Sequence, residues 1–572
     1  MTRSPLRVPA LLLGVVLAAS SSSAQSPAET SAARFVDRTA ESGIDVVTYT
    51  GGADKRHILE STGNGVVVLD YDGDGRQDLY FVCGERFLEA PSPDASRRRE
   101  ACSSRLYRSL GGLRFEDVTE RAGVATALYG QGGTAGDVDG DGDEDLYVTA
   151  FGANLLFVNQ GDGRFVEEAA ARGVGDPRWS ISAVLFDADG DGDLDLFVAN
   201  YLDATWEEVL TARRTRRWRD RVWVMDGPRG LRESRNAFYR NLGDGRFRDE
   251  TAAAGFDSGN GGYSMGAVAA DLDGDGDLDL YVANDSTANR LYLNRGGGTF
   301  EEAGAMSGAA YSADGKAQGS MGVAAADLDG DGLPELAVTN FAHDSYAVYV
   351  NHGDALFLER SFDLGVAAPT FAPLGWAALF LDAQNDGMLD LFFANGHIYP
   401  QVDEDPLLFE SFRQPDHLLL GRRTADGGVE LFEAAGALPD RDAPRSSRGA
   451  VTVDLDDDGR IDLVVSHQDQ PPRVLRNETA GAGAFLAIDA RTAAGAPAYG
   501  TWLALRGPEA GIGAVREVVN GGGYASHGDP RVIFGLGGKS AAAWTLTLRR
   551  PAAGALRLVS PPPNRRLRIV VP

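Results

Sequence analysis

Asp137-Val138-Asp139-Gly140-Asp141-Gly142-Asp143-Glu144-Asp145 sets aspartate at positions one, three, five and nine of a nine-residue stretch, with glycine at positions four and six. Alternate side chains of a tight turn can converge on one point, and Gly142 permits the positive φ that such a turn needs. Hard divalent cations are held by oxygen, and calcium takes six to eight oxygen ligands in a flexible shell. Asp137, Asp139, Asp141 and Asp145 supply four carboxylates and the Asp143 carbonyl a further oxygen. The loop is shorter than the 12-residue loop of a helical calcium hand. The flanking runs read as strands, so the helical reading fails.

The same phrase recurs along the 572 residues. Loops begin at Asp70, Asp137, Asp187, Asp271 and Asp327, with weaker versions at Asp382 and Asp454. The intervals of 67, 50, 84, 56, 55 and 72 residues imply a unit of about 50 residues plus insertions, near the length of a propeller blade. Runs such as Leu146-Tyr147-Val148 and Leu280-Tyr281-Val282 leave each loop as short aromatic and β-branched strands. Upstream, small-residue stretches such as Ser264-Met265-Gly266-Ala267-Val268 suit innermost strands crowded around an axis. Phe35-Val36-Asp37-Arg38-Thr39 repeats a phrase seen as Phe115-Glu116-Asp117-Val118-Thr119, but ahead of the first loop. An N-terminal strand that completes the last blade follows, since it would remove the open edges of a linear stack. The expected fold class is all-β, a seven-bladed β-propeller over 33–478 followed by a small β-sandwich-like domain over 485–572.

The expected metal ligands follow the loop pattern: Asp70, Asp72, Asp74 and Asp78; Asp137, Asp139, Asp141 and Asp145; Asp187, Asp189, Asp191 and Asp195. The next two sets are Asp271, Asp273, Asp275 and Asp279, then Asp327, Asp329, Asp331 and Glu335. In the seventh, Asp457 replaces the first glycine but Asp454, Asp456, Asp458 and Asp462 remain. The sixth keeps only Asp382, Asp386 and Asp390, with Gln384 and Asn385 intervening, so weaker or absent binding is expected there. Clustered carboxylates repel one another unless a cation is present, which favours about five to seven structural Ca²⁺ ions over plain hydrophilic turns.

The net charge of -29 would exclude nucleic acid and anionic lipid partners if it were spread over the surface. Instead, the seven loops hold 32 carboxylates, without which the balance would be +3. Arg3 and Arg7, an apolar run at 8–19 and Ser22-Ser23-Ala24 read as a signal peptide over 1–24, so the chain is expected to be secreted, periplasmic or extracellular. No later run approaches the length of a membrane helix. Cys83 and Cys102 are the only cysteines, and export would pair them across an insertion at 84–101 that contains Arg97, Arg98 and Arg99. The bond would pin a loop, and neither cysteine has a partner at zinc-ligand spacing.

The loops, with companions of the form Asn-x-Gly-Asp-Gly-x-Phe, resemble FG-GAP/VCBS repeats, the calcium-bearing blades also found in integrin α-subunit propellers. The order of phrases, including Asn395-Gly396-His397-Ile398-Tyr399-Pro400 and Ser447-Arg448-Gly449-Ala450, is similar to the cartilage acidic protein family and its bacterial relatives. In that family an ASPIC/UnbV domain follows the propeller. Here Gly522-Gly523-Tyr524-Ala525-Ser526-His527-Gly528-Asp529-Pro530 and Phe534-Gly535-Leu536-Gly537 resemble its signature, although Tyr499-Gly500-Thr501-Trp502, His527 and Gly528 depart from it.

Two functions compete. A binding or adhesion-type scaffold, expected as a monomer, would use the insertion at 203–235, where Trp206, Trp218 and Trp223 accompany Arg213, Arg214, Arg216, Arg217, Arg219 and Arg221. Its partner would be an extracellular protein or acidic glycan. The same insertion could instead be a surface helix with its tryptophans packed down. The alternative is a carbohydrate-active enzyme, a polysaccharide or sugar lyase, with His397, Tyr399, His57 or His343 as candidate groups. No nucleophile elbow, zinc-protease helix or phosphate loop is present.

Overall fold

Each repeat becomes a four-stranded antiparallel sheet because short alternating strands separated by glycine-rich turns can bury both faces only by stacking against neighbours. The computed structural model describes residues 33–88, 99–211, 216–256, 261–439, 443–507, 513–538, 544–550 and 555–571. The expected leader at 1–24, and Arg97, Arg98, Arg213 and Arg214, lie outside them. Seven four-stranded sheets form the propeller. Blade 2 is typical: Tyr129–Gly136 innermost, then Asp145–Phe151, Leu155–Asn159 and Phe165–Glu167. All eight residues of its inner strand are buried.

The seventh blade is assembled from both ends of the propeller, as the N-terminal phrase predicted. Ser447–Val453, Asp462–His467 and Gln470–Asn477 receive Phe35–Asp37 as their outermost strand, with Phe35 opposite Asn477. Each innermost strand packs against the next, and the strand of the seventh blade packs against Val66–Leu69 of the first, so the ring closes. The Cys83–Cys102 disulfide is present, with the Cα atoms 5.6 Å apart. It spans the hairpin of Glu85–Phe87 with Arg99–Ala101 on the first blade.

Adjacent blades are stitched by asparagine. The Asn294 side chain donates to the Ala188 carbonyl in the loop of the preceding blade at 2.7 Å and to Leu278 in its own loop at 3.2 Å. Asn159, Asn241, Asn351 and Asn477 make the corresponding pairs of bonds. All five are the asparagines that end the third strand of their blades. Strand propensity alone disfavours asparagine there, but its amide reaches two otherwise buried carbonyls.

The C-terminal unit has two sheets. Ala484–Arg491 lies between Val532–Gly537 and, in parallel, Arg565–Val570, while Trp502–Arg506 lies between Gly513–Glu517 and Thr545–Arg549, with Leu556–Val559 at the edge. Its apolar residues join those of blades 2 and 3 in one cluster containing Val138, Leu194, Ile488 and Leu503. Replacing Asn294 by Ala should therefore lower stability by roughly 1–3 kcal/mol, the cost of leaving buried acceptors unpaired, without changing the strand content. Urea unfolding read by circular dichroism would show this, and an unchanged midpoint would deny the asparagine its stitching role.

Candidate metal centres and the channel

Each acidic loop folds around its own first carboxylate. In blade 2, Asp137 Oδ1 accepts from the Gly140 N–H at 2.7 Å and Oδ2 from the Gly142 N–H at 3.0 Å. Gly140 and Gly142 have φ of +76° and +100°, values that side chains with a Cβ rarely adopt. Asp145 ties the loop to the blade: its Oδ2 accepts from Val138 N–H at 2.9 Å and its Oδ1 from Asn159 N–H at 2.7 Å. Carboxylate oxygens of Asp70, Asp72 and Asp78 lie within 4.8 Å of one another, as do those of Asp137, Asp139 and Asp145, of Asp271, Asp273 and Asp279, and of Asp327, Asp329 and Glu335. In blade 3 the corresponding group is Asp187, Asp189 and Asp191.

Whether these residues suit a cation can be read from their unmet needs. Asp70 Oδ1, Asp72 Oδ1, Asp139 Oδ1, Asp327 Oδ2 and Asp456 Oδ1 are buried without a hydrogen-bond partner. Burial, reinforced by the neighbouring carboxylates, pushes Asp145 up to about 8, Glu335 to about 9 and Asp382 to about 7. Asp78, Asp279, Asp390 and Asp462 are raised well above the usual carboxylate range for the same reasons. An all-oxygen donor set of this density fits a hard divalent cation. The sixth loop keeps Asp382 buried, yet the Gln384 and Asn385 substitutions leave fewer carboxylates, as expected from the sequence.

Blade 3 has a cation of its own. Arg240 is one residue before the stitching Asn241, and its Nη1 lies 3.0 Å from both Asp189 Oδ2 and Asp195 Oδ2. Arg108 and Arg476 hold the equivalent position in blades 1 and 7 and bond Asp72 and Asp74, and Asp456 and Asp458. Val158, Leu293 and Val350 stand there in blades 2, 4 and 5. In blades 2 and 4 an arginine from outside the third strand reaches the loop instead, Arg172 Nη2 lying 3.1 Å from Asp139 Oδ2 and Arg295 Nη1 3.6 Å from Asp273 Oδ2, so similar loops meet their arginines from different segments.

The C-terminal unit sits directly on this acidic face. Arg531 Nη1 lies 3.0 Å from Asp457 Oδ1, and its Nη2 donates to the Asp454 carbonyl at 2.8 Å. The Asp271 N–H donates to Glu517 Oε2 at 3.4 Å, and burial followed by the Asp271 charge pushes Glu517 up to about 8. From the same unit, residues 520–529 enter the propeller axis. His527 exchanges backbone bonds with Val66 and Val68, Ala525 accepts from Gly133, Gly522 donates to Ala267, Gly523 accepts from Val323 and Asp529 donates to Thr452. A Cβ on Gly65 or Gly132 would lie 1.9 or 2.2 Å from the Ala525 carbonyl oxygen, so these two glycines make room for the plug. Tyr524, at its tip, meets Trp376 with ring centroids 4.7 Å apart. In the sequence residues 522–530 show only a resemblance to the ASPIC/UnbV signature, because the strands that the plug bonds lie hundreds of residues away for the most part.

At the other end of the inner strands lies a cup of about 710 Å³ whose floor includes Met265, Met321 and Trp376. The insertion at 203–235 forms part of its rim through the hairpin of Arg216–Trp218 with Val222–Val224. Trp206 packs edge-on against Phe151 at 4.7 Å and Trp218 is buried, whereas Trp223 is 54% exposed beneath Arg217. Three of the four candidate catalytic groups meet here. Glu410 accepts from Trp218 Nε1 at 2.8 Å, and His343 Nε2, Arg219 Nη1 and His397 Nε2 lie 2.8, 3.1 and 3.3 Å from its carboxylate. Burial opposes ionisation of Glu410, but the His397, His343 and Trp218 bonds outweigh it and hold the group at about 2. His397 Nδ1 accepts the Tyr399 N–H at 3.0 Å, which leaves Nε2 as the protonated nitrogen of the neutral ring. His57 is buried apart from them, beside the turn Ile58–Ser61. Glu410 is thus enclosed by the insertion hairpin and two histidines, and latches the hairpin to the sixth blade.

Residues 137–198, 217–282 and 271–338 match the FG-GAP-like repeat, and residues 491–572 match ASPIC and UnbV. This is an FG-GAP-repeat chain with an ASPIC/UnbV domain. The FG-GAP chain is 29% identical over 310 residues to Cartilage acidic protein 1 of Homo sapiens, a homologous protein. That match takes in 52% of this chain and 42% of the human protein, so the chain spans less than half the length of that relative. Among solved structures, an Agrocybe aegerita lectin specific for non-reducing terminal N-acetylglucosamine shares 16% identity at TM-score 0.35, covering 72% of this chain and 87% of the lectin. A Bacillus licheniformis rhamnogalacturonan lyase shares 12% at TM-score 0.28, covering 75% of this chain and 91% of the lyase. Neither overlay is close enough to carry a functional argument.

Two outcomes follow from the loop geometry. Carboxylates raised in the folded state bind protons that the unfolded chain has released, so metal-free stability falls as pH rises from about 4 through about 8. The metal-free melting temperature should drop between pH 5 and pH 8 and calcium should raise it most at pH 8; a flat metal-free profile would show that the loops are not strained by charge. Separately, Arg240→Leu, which copies Leu293 of blade 4, should increase bound calcium by about one ion per chain, counted by elemental analysis. An unchanged count would show that Arg240 does not compete for the loop.

Proposed function

We propose that this chain is a secreted, calcium-loaded propeller that works as a binding scaffold, with its C-terminal domain clamped to the metal face and its opposite face left for partners. The observation that carries this reading is the position of the acidic loops. Their buried, unpartnered carboxylates lie where the second domain docks, through Arg531 on the seventh loop, Arg516 beside the fifth and Glu517 against the fourth. Ca²⁺ would supply the missing positive charge and fix each loop, and the loops in turn shape the seat of the domain and its plug.

Export is supported by the disulfide, since paired cysteines persist in oxidising compartments. Among the described residues, no helix is long and apolar enough to cross a membrane. The binding reading is favoured over the lyase reading because Glu410, His343 and His397 are turned onto one another and onto Trp218 and Arg219, an arrangement that latches a hairpin rather than presenting an acid or base to substrate.

Thermal melting with and without EDTA, together with limited proteolysis at the 479–484 connection, tests the scaffold. Each site held at ten times its Kd adds about 1.4 kcal/mol, so five sites give a large melting shift. Calcium should raise the melting temperature and protect the connection from cleavage. Equal melting and equal cleavage with and without calcium would remove the reading.

A further inference from the structure

The plug makes the propeller axis a cup rather than a pore. Tyr524 lies under Trp376, and the Tyr524 hydroxyl accepts the Gly63 N–H at 3.3 Å, so the floor is closed by the C-terminal domain itself. What remains is lined by residues at the ends of the inner strands away from the acidic loops, and its volume of about 710 Å³ is within the range of small-ligand sites.

The polar groups of this cup divide sharply by chemistry. Its acids are already satisfied. Asp285 accepts from the Tyr201 hydroxyl at 2.8 Å and the Ser286 hydroxyl at 2.9 Å, Asp344 accepts from Gln318 at 2.7 Å, and Asp226 is also engaged. Its donors are not. Tyr399 is 2% exposed and lines the cup, within electrostatic reach of Arg216, Asp226 and Asp285, yet its hydroxyl has no hydrogen-bond partner among the described residues. The exposed side chains of Arg216, set over the Trp218 ring at 6.0 Å, and of Arg229 also line the cup and make no side-chain hydrogen bond or ion pair among the described residues. The Tyr399 ring is buried, but its hydroxyl is accessible from the cup and free to meet a ligand. Arg216 lies within electrostatic reach of Tyr399 and Arg229 within reach of Asp285 on the same lining, and a guanidinium fork suits a carboxylate, which it can meet with paired N–H groups. Around them the walls are aromatic: Trp218 and Phe341 stand with centroids 5.7 Å apart, and Tyr399 is 5.6 Å from Trp218.

We propose that the cup binds a small carboxylate carried on a ring, its carboxylate held by Arg216, Arg229 and the Tyr399 hydroxyl and its ring set against Trp218 and Phe341. This deepens the binding-scaffold reading and rests on it. A uronic acid and an aryl acid share the chemistry, and the probes below separate them.

The full chain in calcium is titrated with D-galacturonate, phenylacetate and neutral D-galactose, followed by calorimetry and by tryptophan fluorescence, which Trp218 and Trp376 should report. Saturable binding of either acid without binding of D-galactose is the expected result, and the acid that binds identifies the source. Tyr399→Phe should weaken it roughly tenfold, the usual effect of losing one hydrogen bond to a charged group, and the double variant Arg216→Gln with Arg229→Gln should abolish it. Arg246→Gln, far from the cup and paired with Asp244, should leave it unchanged. Failure of both acids to bind, equal binding of D-galactose, or wild-type affinity in the double arginine variant would each overturn the proposal. Variants are compared only where calcium still raises their melting temperature. A chain that keeps this calcium response but takes neither acid loses the cup proposal alone, whereas loss of the response in the parent chain removes the scaffold.

Discussion

The last carboxylate of each acidic loop is the constraint on which the rest of the structure depends. Asp145 is representative: one oxygen holds the second residue of its own loop and the other holds the backbone where the third strand ends. This fixes the loop to two strands and places Asn159 where its amide can reach back to the loop of the preceding blade. A carboxylate buried in this way is costly unless its charge is answered. Hence the element that aligns strands within a blade, and indirectly one blade with the next, also concentrates negative charge on a single face.

Arginine answers that charge unevenly around the ring. In blades 1, 3 and 7 an arginine on the third strand leans over the loop, while in blades 2 and 4, where Val158 and Leu293 hold that position, Arg172 and Arg295 reach Asp139 and Asp273 from outside the strand. A guanidinium is a permanent counter-charge supplied at folding, whereas a metal ion is conditional on its concentration. The domain that docks here reads both kinds of loop at once, through Arg531 at the seventh and Glu517 at the fourth. The second domain is therefore better described as part of the propeller's closure than as an appendage, since its plug bonds backbone groups of the inner strands of blades 1, 2, 4, 5 and 7.

Closure at one end gives the other end its character. With Tyr524 beneath Trp376 the axis has a floor, and the insertion hairpin, latched by Trp218 and Arg219 to Glu410, forms part of a rim. The tryptophans of the insertion divide between the two readings made of them: Trp206 and Trp218 pack down, and Trp223 remains exposed. His343, His397 and Tyr399, separated by more than fifty residues of sequence at their extremes, meet here because the connections between the second and third strands of blades 5 and 6 come together around Glu410.

The number of blades, the positions of the acidic loops and the shared seventh blade were legible in the amino-acid order, because each rests on local physics repeated at a fixed period: alternating strands, glycine turns and a phrase out of place at Phe35. The carboxylate clusters were legible for the same reason, since a nine-residue loop brings its own side chains together, although in each of the five clear loops only three of the four expected carboxylates converge. The partners of the loops were not. Arg240 over Asp195, the asparagine stitches, the plug at 520–529 and the unpaired donors of the cup all join residues far apart in sequence, and only closing the ring brings them within bonding distance.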